Sequence, residues 1–364
     1  MSPAVSVQRQ RPALRSERFI VEDSLEAFNA LAEEQGWGDG LPLVPPTLER
    51  VEAMLAYCDR DPGESIGRVA PNWADATYEA VAINAVMAGC RPEYFPVVCA
   101  AVEAVVDPAF NLYGIQATTN PVAPFVLVNG PIARELNFNA RGNAFGQGWS
   151  ANATVGRALR LVLLNIGGGK PQTLDRATQG FPAKYTFCAA ENESESPWDP
   201  YHVERGFGRE DSAVTVMGTQ AFHNIIDITS RNAVDVLTTM AAGMAVWGTN
   251  NMTHGGEPVL VLSPEHAQMC ADEGWSKDEV RKFLWERARV DMRKLPESCS
   301  VLMQTRRPRW VDMTNYPVCD RPDDIILLVI GGPGIHGVYL PSFGATRAIT
   351  RPITGRDGTP VGSW

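Results

Sequence analysis

Two short apolar runs closed by proline constrain this chain more than any other feature. Pro124-Phe-Val-Leu-Val-Asn-Gly-Pro131 and Pro258-Val-Leu-Val-Leu-Ser-Pro264 match each other with one residue deleted. Each reads as a strand that runs into a helix, because proline is favoured at the first helical position. The flanks match in the same order. Gly114-Ile-Gln-Ala-Thr-Thr-Asn120 precedes the first run and Gly248-Thr-Asn-Asn-Met-Thr-His254 the second; Gly148-Trp-Ser150 and Gly274-Trp-Ser276 follow them. The expectation is a mixed α/β fold, with an internal duplication of two α/β repeats around a shared cleft. The competing reading is that strand–proline–helix junctions simply look alike.

The other elements fit this alternation. Ser24 caps a helix running to Glu34, which Gly36 stops, and the glycines and prolines of Trp37 to Thr47 forbid regular structure. Residues 49–57 form the next helix. Tyr78 to Val106 reads as two alanine- and valine-rich helices broken at Gly89–Pro92. Val155 to Asn165 is a helix closed by Gly167-Gly-Gly169, and a strand near Ala213–Met217 precedes a helix near Arg231–Met244. Ser263-Pro264-Glu265 opens another helix, Lys277 to Arg289 forms one more, and Ile325–Ile330 is the most strand-like segment. This divides the chain into a disordered tail (1–20), a helical arm with a Gly/Pro loop (21–60), and a first repeat (61–170). A long polar loop (171–211), a second repeat (212–295) and a C-terminal strand with a glycine-rich loop (296–364) follow.

Net charge of −10 argues against nucleic acid or an anionic membrane as partner, since both need clustered positive charge. The apolar runs are too short to cross a bilayer. Seven cysteines without a CxxC pair read as reduced thiols of a cytoplasmic protein rather than a disulfide framework. Arg9, Arg11, Arg15 and Arg18 near the N-terminus lack the apolar stretch of a signal peptide.

Chemistry-bearing residues fall in loops. His254 stands beside Gly255-Gly256-Glu257, a flexible setting for an imidazole and an acid. The segment 184–205 gathers Cys188, Glu191, Asn192, His202 and Glu204. Carboxylates with imidazoles supply general acids and bases, or ligands for a divalent metal, with His254, Glu257, Glu191 and Glu204 as the candidate set. Glu193, Glu195 and Asp199 read by default as solvated loop charges. Substrate-binding candidates are Trp37 and Asp39 on the first glycine-flexed loop, Thr119 and Asn120, Asn143 and Asn152 in the asparagine loop, Asn192, and His336. Gly332-Pro-Gly334-Ile-His-Gly337 matches GxGxxG in letters, but Pro341 interrupts the helix that a dinucleotide site needs. Its backbone can instead converge on an anion beside His336, or form a tight turn.

The runs Gly36 to Thr47, Ala82 to Glu93, Tyr185 to Glu193, Gly331 to His336 and Ser342-Phe-Gly344 together resemble a bacterial family whose members accompany UGSC-motif proteins. Those small proteins carry a selenocysteine- or cysteine-Gly-Ser-Cys motif. The resemblance covers most of residues 25–355. It implies a bacterial enzyme component paired with a thiol- or selenol-bearing subunit. Taken together with the polar loops, the first expectation is an oligomeric, cytoplasmic enzyme subunit that acts on a small polar or anionic substrate, by redox or bond-cleaving chemistry with that partner. The alternatives are a self-sufficient metal-dependent lyase or hydrolase, and a non-catalytic scaffold subunit.

Overall fold

The computed structural model describes residues 14–310 and 314–355. Within them run twelve strands: β1 (Ser65–Val69), β2 (Ala74–Thr77), β3 (Ala123–Asn129), β4 (Cys188–Ala190), β5 (Ala213–Thr219), β6 (His223–Ile226), β7 (Val259–Leu262), β8 (Arg289–Asp291), β9 (Asn315–Pro317), β10 (Ile326–Val329), β11 (His336–Leu340) and β12 (Ile349–Pro352). Helices alternate with them, so the chain is mixed α/β as expected.

Two four-stranded sheets organise the molecule, ordered β4-β3-β5-β12 and β10-β7-β11-β6. In each, the first two strands are parallel and the remaining pairs antiparallel. The two proline-flanked runs, β3 and β7, occupy the same place in their sheets. The division of the chain differs from the reading of the sequence. β5, assigned there to the second unit, pairs with β3 along its whole length, from Ala123↔Thr219 to Asn129↔Ala213. β12 then returns from the C-terminal region to close the first sheet.

Period-two alternation explains how the sheets stack. Phe125 and Leu127 of β3, Ala189 of β4 and Met217 of β5 form one apolar cluster with Val259, Val261, Ile326, Leu328 and Leu340 of the other sheet. The intervening residues Val126, Val128, Val214 and Val216 pack outward with the helices Tyr78–Met87, Phe95–Val105 and Ser150–Asn165. On the far side Leu260, Leu262, Leu327 and Val329 pack with Ala233–Met244, Pro264–Asp272 and Lys277–Arg287. The result is four layers, helix–sheet–sheet–helix. It accounts for the unbroken apolar runs, because strands covered on both faces need no polar face.

Phe125 is fully buried between the sheets and stacks against Phe187 and Phe145 at ring-centroid distances of 4.7 and 5.6 Å. Phe125→Ala is expected to cost about 3–5 kcal/mol in denaturant unfolding. A loss below ~1 kcal/mol would mean that the sheets do not meet there.

Local signals set the helix boundaries. Ser24, Thr47, Thr77, Asn232, Ser263 and Ser276 each accept a first-turn backbone N–H, and Ser276 with Glu279 forms a capping box. Among the described residues no single helix is long and apolar enough to cross a membrane. The bent pair Pro92–Val105 and Pro108–Ala117 passes that test only when its halves are joined across a 73° bend, and its first half is buried in the core. Residues 14–20, read from the sequence as tail, lie against the body of the protein, where the backbone N–H groups of Arg15 and Ser16 bond the Glu79 carboxylate. The expectation for residues 1–13 falls outside the described residues.

Candidate active-site cleft

β3 and β4 are parallel, so their carboxyl ends lie side by side, the usual place for a ligand in a sheet of this kind. β10 of the second sheet ends at the same edge. Asn192 N–H donates to the Val329 carbonyl (2.8 Å) and its side-chain amide to that of Gly331 (3.0 Å), while Gly331 N–H donates to Ala140 (2.8 Å). These bonds stitch the loops that follow β3, β4 and β10 around a cleft of about 480 Å³. Its walls include Arg134, Asn137, Asn139, Arg141, Glu191, Asn192 and Glu193.

At its floor one amide joins two carboxylates. Asn129, fully buried at the last position of β3, donates through Nδ2 to Glu191 Oε2 (2.7 Å) and to Glu193 Oε1 (3.0 Å). Glu191 Oε2 also accepts Tyr201 N–H (2.8 Å), and Glu193 Oε1 accepts Gly130 N–H (2.7 Å). Gly130 is required here. Its φ is +85°, and a Cβ would lie 2.1 Å from the Asp211 carbonyl oxygen.

Glu191 is 3 % exposed, and its Oε1 has no protein partner. Burial pushes its pKa above the ordinary glutamate value, against the opposing pull of Lys277 and of its own hydrogen bonds. Below Glu193 lies His202, fully buried, with Nδ1 3.9 Å from Glu193 Oε1 and neither ring nitrogen hydrogen-bonded. Orphaned buried polar atoms are rare in folded proteins, and each calls for an explanation. At the rim, Arg141 reaches Ser194 Oγ (3.2 Å) and Glu195 (3.8 Å).

The sequence candidates separate into several places. Glu191, Asn192 and His202 come together at this cleft. His254 and Glu257 lie instead before β7, at the opposite end of the strands. His254 contacts Thr253 Oγ1 (2.8 Å) and the Arg306 guanidinium; burial and that cation both lower its pKa. The Glu257 carboxylate holds Ala348 N–H and Arg347. Glu204 pairs with Lys277 and Arg281. The set His254, Glu257, Glu191 and Glu204 is therefore not assembled, and among the described residues no three His, Cys, Asp or Glu side chains converge as metal ligands.

Cys188 points from β4 into the helical layer, and burial drives its thiol pKa far up. Asp39 forms a two-pronged ion pair with Arg157 (2.7 and 2.8 Å), and Trp37 packs edge-on against Phe19. Asn152 spends its amide on Asn139 and Ala144, clamping the loop that walls the cleft. Thr119 accepts from Thr178, Asn120 bonds Thr118, and exposed Asn143 bonds Gln147. His336, exposed on β11, meets Asn224 (3.1 Å).

The sequence reading passes over Asn129, Arg134 and Arg141 and takes Glu193 for a solvated loop charge, whereas its carboxylate accepts from Asn129 and Gly130. An Asn-Gly-Pro tripeptide reads as a turn, and only the pairing of β3 with β4 brings Glu193 under Gly130. The one available signal was the alternation Glu191-Asn-Glu193, which puts two acids on the same side of an extended segment. The chain matches no protein-family model and no curated protein.

Proposed function

We propose that this chain is an enzyme, or the active subunit of one, that performs acid–base chemistry on a small polar or anionic substrate in the cleft at the ends of β3, β4 and β10. The observation that carries the reading is the Glu191–Asn129–Glu193 arrangement. Burial favours the protonated form of Glu191, suiting it to give a proton. Glu193, whose side chain is 14 % exposed, stands nearer the opening and can take one. Asn129 holds both carboxyl groups in place. Arg134 and Arg141 supply positive charge at the wall for a substrate carboxylate or phosphate. One proton taken and one given is the shared requirement of eliminations, hydrations and isomerisations. The matching direction patterns of the two sheets support reading them as duplicated units, with the cleft at their common edge.

A partner thiol or selenol is the second reading, favoured by the state of the chain's own sulfurs. Cys90, Cys99, Cys188, Cys270 and Cys319 are buried, with pKa values raised by burial, to about 12 for Cys90 and Cys270. Cys58, whose pKa is lowered chiefly by its hydrogen bond with Cys99, and half-buried Cys299 do not line the cleft, nor does any other described cysteine. A reactive sulfur in the cleft would come from another chain.

One experiment separates the readings. Wild-type protein is incubated with the small-molecule fraction of a bacterial extract, and metabolite changes are followed by mass spectrometry. Turnover that disappears in Glu193→Gln supports the self-sufficient enzyme. Turnover only after the protein fraction is restored supports the partner reading. Turnover unaffected by Glu193→Gln, or none under either condition, counts against the cleft as an active site.

A further inference from the structure

We propose that Cys58 and Cys99 form a reversible redox modification site, two thiols held in contact in the reduced protein and joined as a disulfide by hydrogen peroxide. The two residues are far apart in the sequence and come from different elements. Cys99 lies on the helix Phe95–Val105, in the helical layer that covers the first sheet. Cys58 lies in the turn that follows the helix Leu48–Leu55, where its N–H bonds the Leu55 carbonyl (3.2 Å). Both side chains belong to one apolar cluster, and the Cys99 thiol donates a hydrogen bond to the Cys58 sulfur.

Contact alone does not make a thiol pair reactive; the surroundings set the two sulfurs apart. Cys99 is 5 % exposed, and burial holds its pKa well above the ordinary thiol value. The Cys58 pKa lies below that value. The hydrogen bond from Cys99 draws it down first and the Arg60 guanidinium adds to this, against burial and the carboxylates of Glu103 and Glu64. Tyr78 also borders both thiols, and burial keeps it a neutral phenol. Cys58 is only 6 % exposed, but its chain neighbours Tyr57 and Asp59 are both exposed, so a local opening of the turn admits a small oxidant. A thiolate-forming sulfur toward the surface, backed by a second thiol that can resolve it, is the arrangement of peroxide-sensing cysteines.

The Cys58 thiolate attacks one peroxide oxygen. The S–O bond forms, the O–O bond breaks, and the departing hydroxide takes up a proton as water. The Cys99 sulfur then attacks the Cys58 sulfenic acid. The S–S bond forms, the S–O bond breaks, and the second hydroxide leaves with the Cys99 proton as water. Together the two sulfurs give up two electrons, which the peroxide accepts; a dithiol returns them by exchange through a mixed disulfide. An S–S bond of about 2.0 Å is shorter than an S–H···S contact, so the sulfurs must close on each other, and the turn has more freedom to yield than the helix. The bond pins the end of Leu48–Leu55 to Phe95–Val105.

The test treats the full, reduced chain with a small excess of hydrogen peroxide. Free thiols are then blocked with N-ethylmaleimide in denaturant, and the peptides are mapped by mass spectrometry. A Cys58–Cys99 cross-linked peptide is expected, with both residues missing from the alkylated set and restored to it by dithiothreitol. In Cys99→Ser the Cys58 sulfenic acid should persist and be trapped by dimedone, forming at least about tenfold faster than on buried Cys90 or Cys188. If Cys99→Ser fails to melt cooperatively, Cys99→Ala replaces it. A different disulfide, Cys58 oxidised to sulfinic acid without the cross-link, or both thiols still alkylated after peroxide overturns the site. Dimedone labelling of Cys58 no faster than of Cys90 overturns its role as the attacking sulfur.

Discussion

Replacing Glu191 by glutamine is expected to cut turnover by orders of magnitude while leaving the protein at least as stable as the wild type at pH 8. Loss of a general acid typically lowers rates by about 10²–10⁴-fold. Stability should move the other way because of where the carboxyl sits. Its folded pKa is raised by burial, so between the unfolded and folded values the native state holds a proton that the unfolded state has released. Wild-type stability therefore falls as pH rises through that window and stays reduced above it. Glutamine keeps an oxygen for Asn129 Nδ2 and Tyr201 N–H and cannot ionise, so the variant should lack this loss. Thermal melts of both proteins from pH 4 to pH 9 measure the difference directly. A variant that melts well below wild type at pH 8 would make Glu191 a structural counter-ion rather than a residue held at a cost in stability for its chemistry.

Glu204→Ala should behave in the opposite sense. Lys277 and Arg281, with side chains only 9 % and 10 % exposed, both reach this carboxylate. Removing it leaves two nearly buried cations short of a partner, at an expected cost of about 3 kcal/mol. The low end of the usual range applies because other partners remain. Lys277 retains the Asp199 carbonyl (3.1 Å), and Arg281 retains Asp278 (2.9 Å) and the Ile325 carbonyl (3.1 Å). Lys277→Met in the Glu204→Ala background should recover part of the loss. Denaturant unfolding checks both. A Glu204→Ala variant within ~0.5 kcal/mol of wild type would remove the structural role and reopen a ligand role for this acid. The pair also bears on the cleft, since Glu204 ends the short helix whose first N–H, at Tyr201, orients Glu191.

Part of this architecture was legible in the sequence. β3, β7 and β10 announce themselves through β-branched apolar runs, and most helices through a serine, threonine or asparagine cap. β4 does not. Cys188-Ala-Ala190 has no strand character of its own and becomes a strand only because Val126, Leu127 and Val128 pair with it. β12 lies more than a hundred residues from its neighbour β5, so no local pattern could place it. Local composition did bring Glu191, Asn192 and His202 forward, because an acid, an amide and an imidazole stand out in an irregular stretch. It also brought forward Asp39 and Asn152, whose polar groups are consumed by Arg157 and by the Asn139–Ala144 loop. A glycine-flexed loop next to a polar residue looks the same whether the partner is a substrate or the protein itself. His254 and Glu191 were joined in one candidate set because sequence spacing carries no information about which end of a strand a loop occupies.

The protonation state of Glu191 is the point on which the acid–base reading stands. Isotope-edited infrared spectroscopy of protein labelled with carbon-13 in the glutamate carboxyl groups, taken as the difference between wild type and Glu191→Gln at pH 7, reports it directly. The account predicts a protonated-carboxyl band present in wild type and missing from the variant. A difference spectrum containing only a carboxylate band would show Glu191 ionised at neutral pH and contradict its assignment as the proton donor.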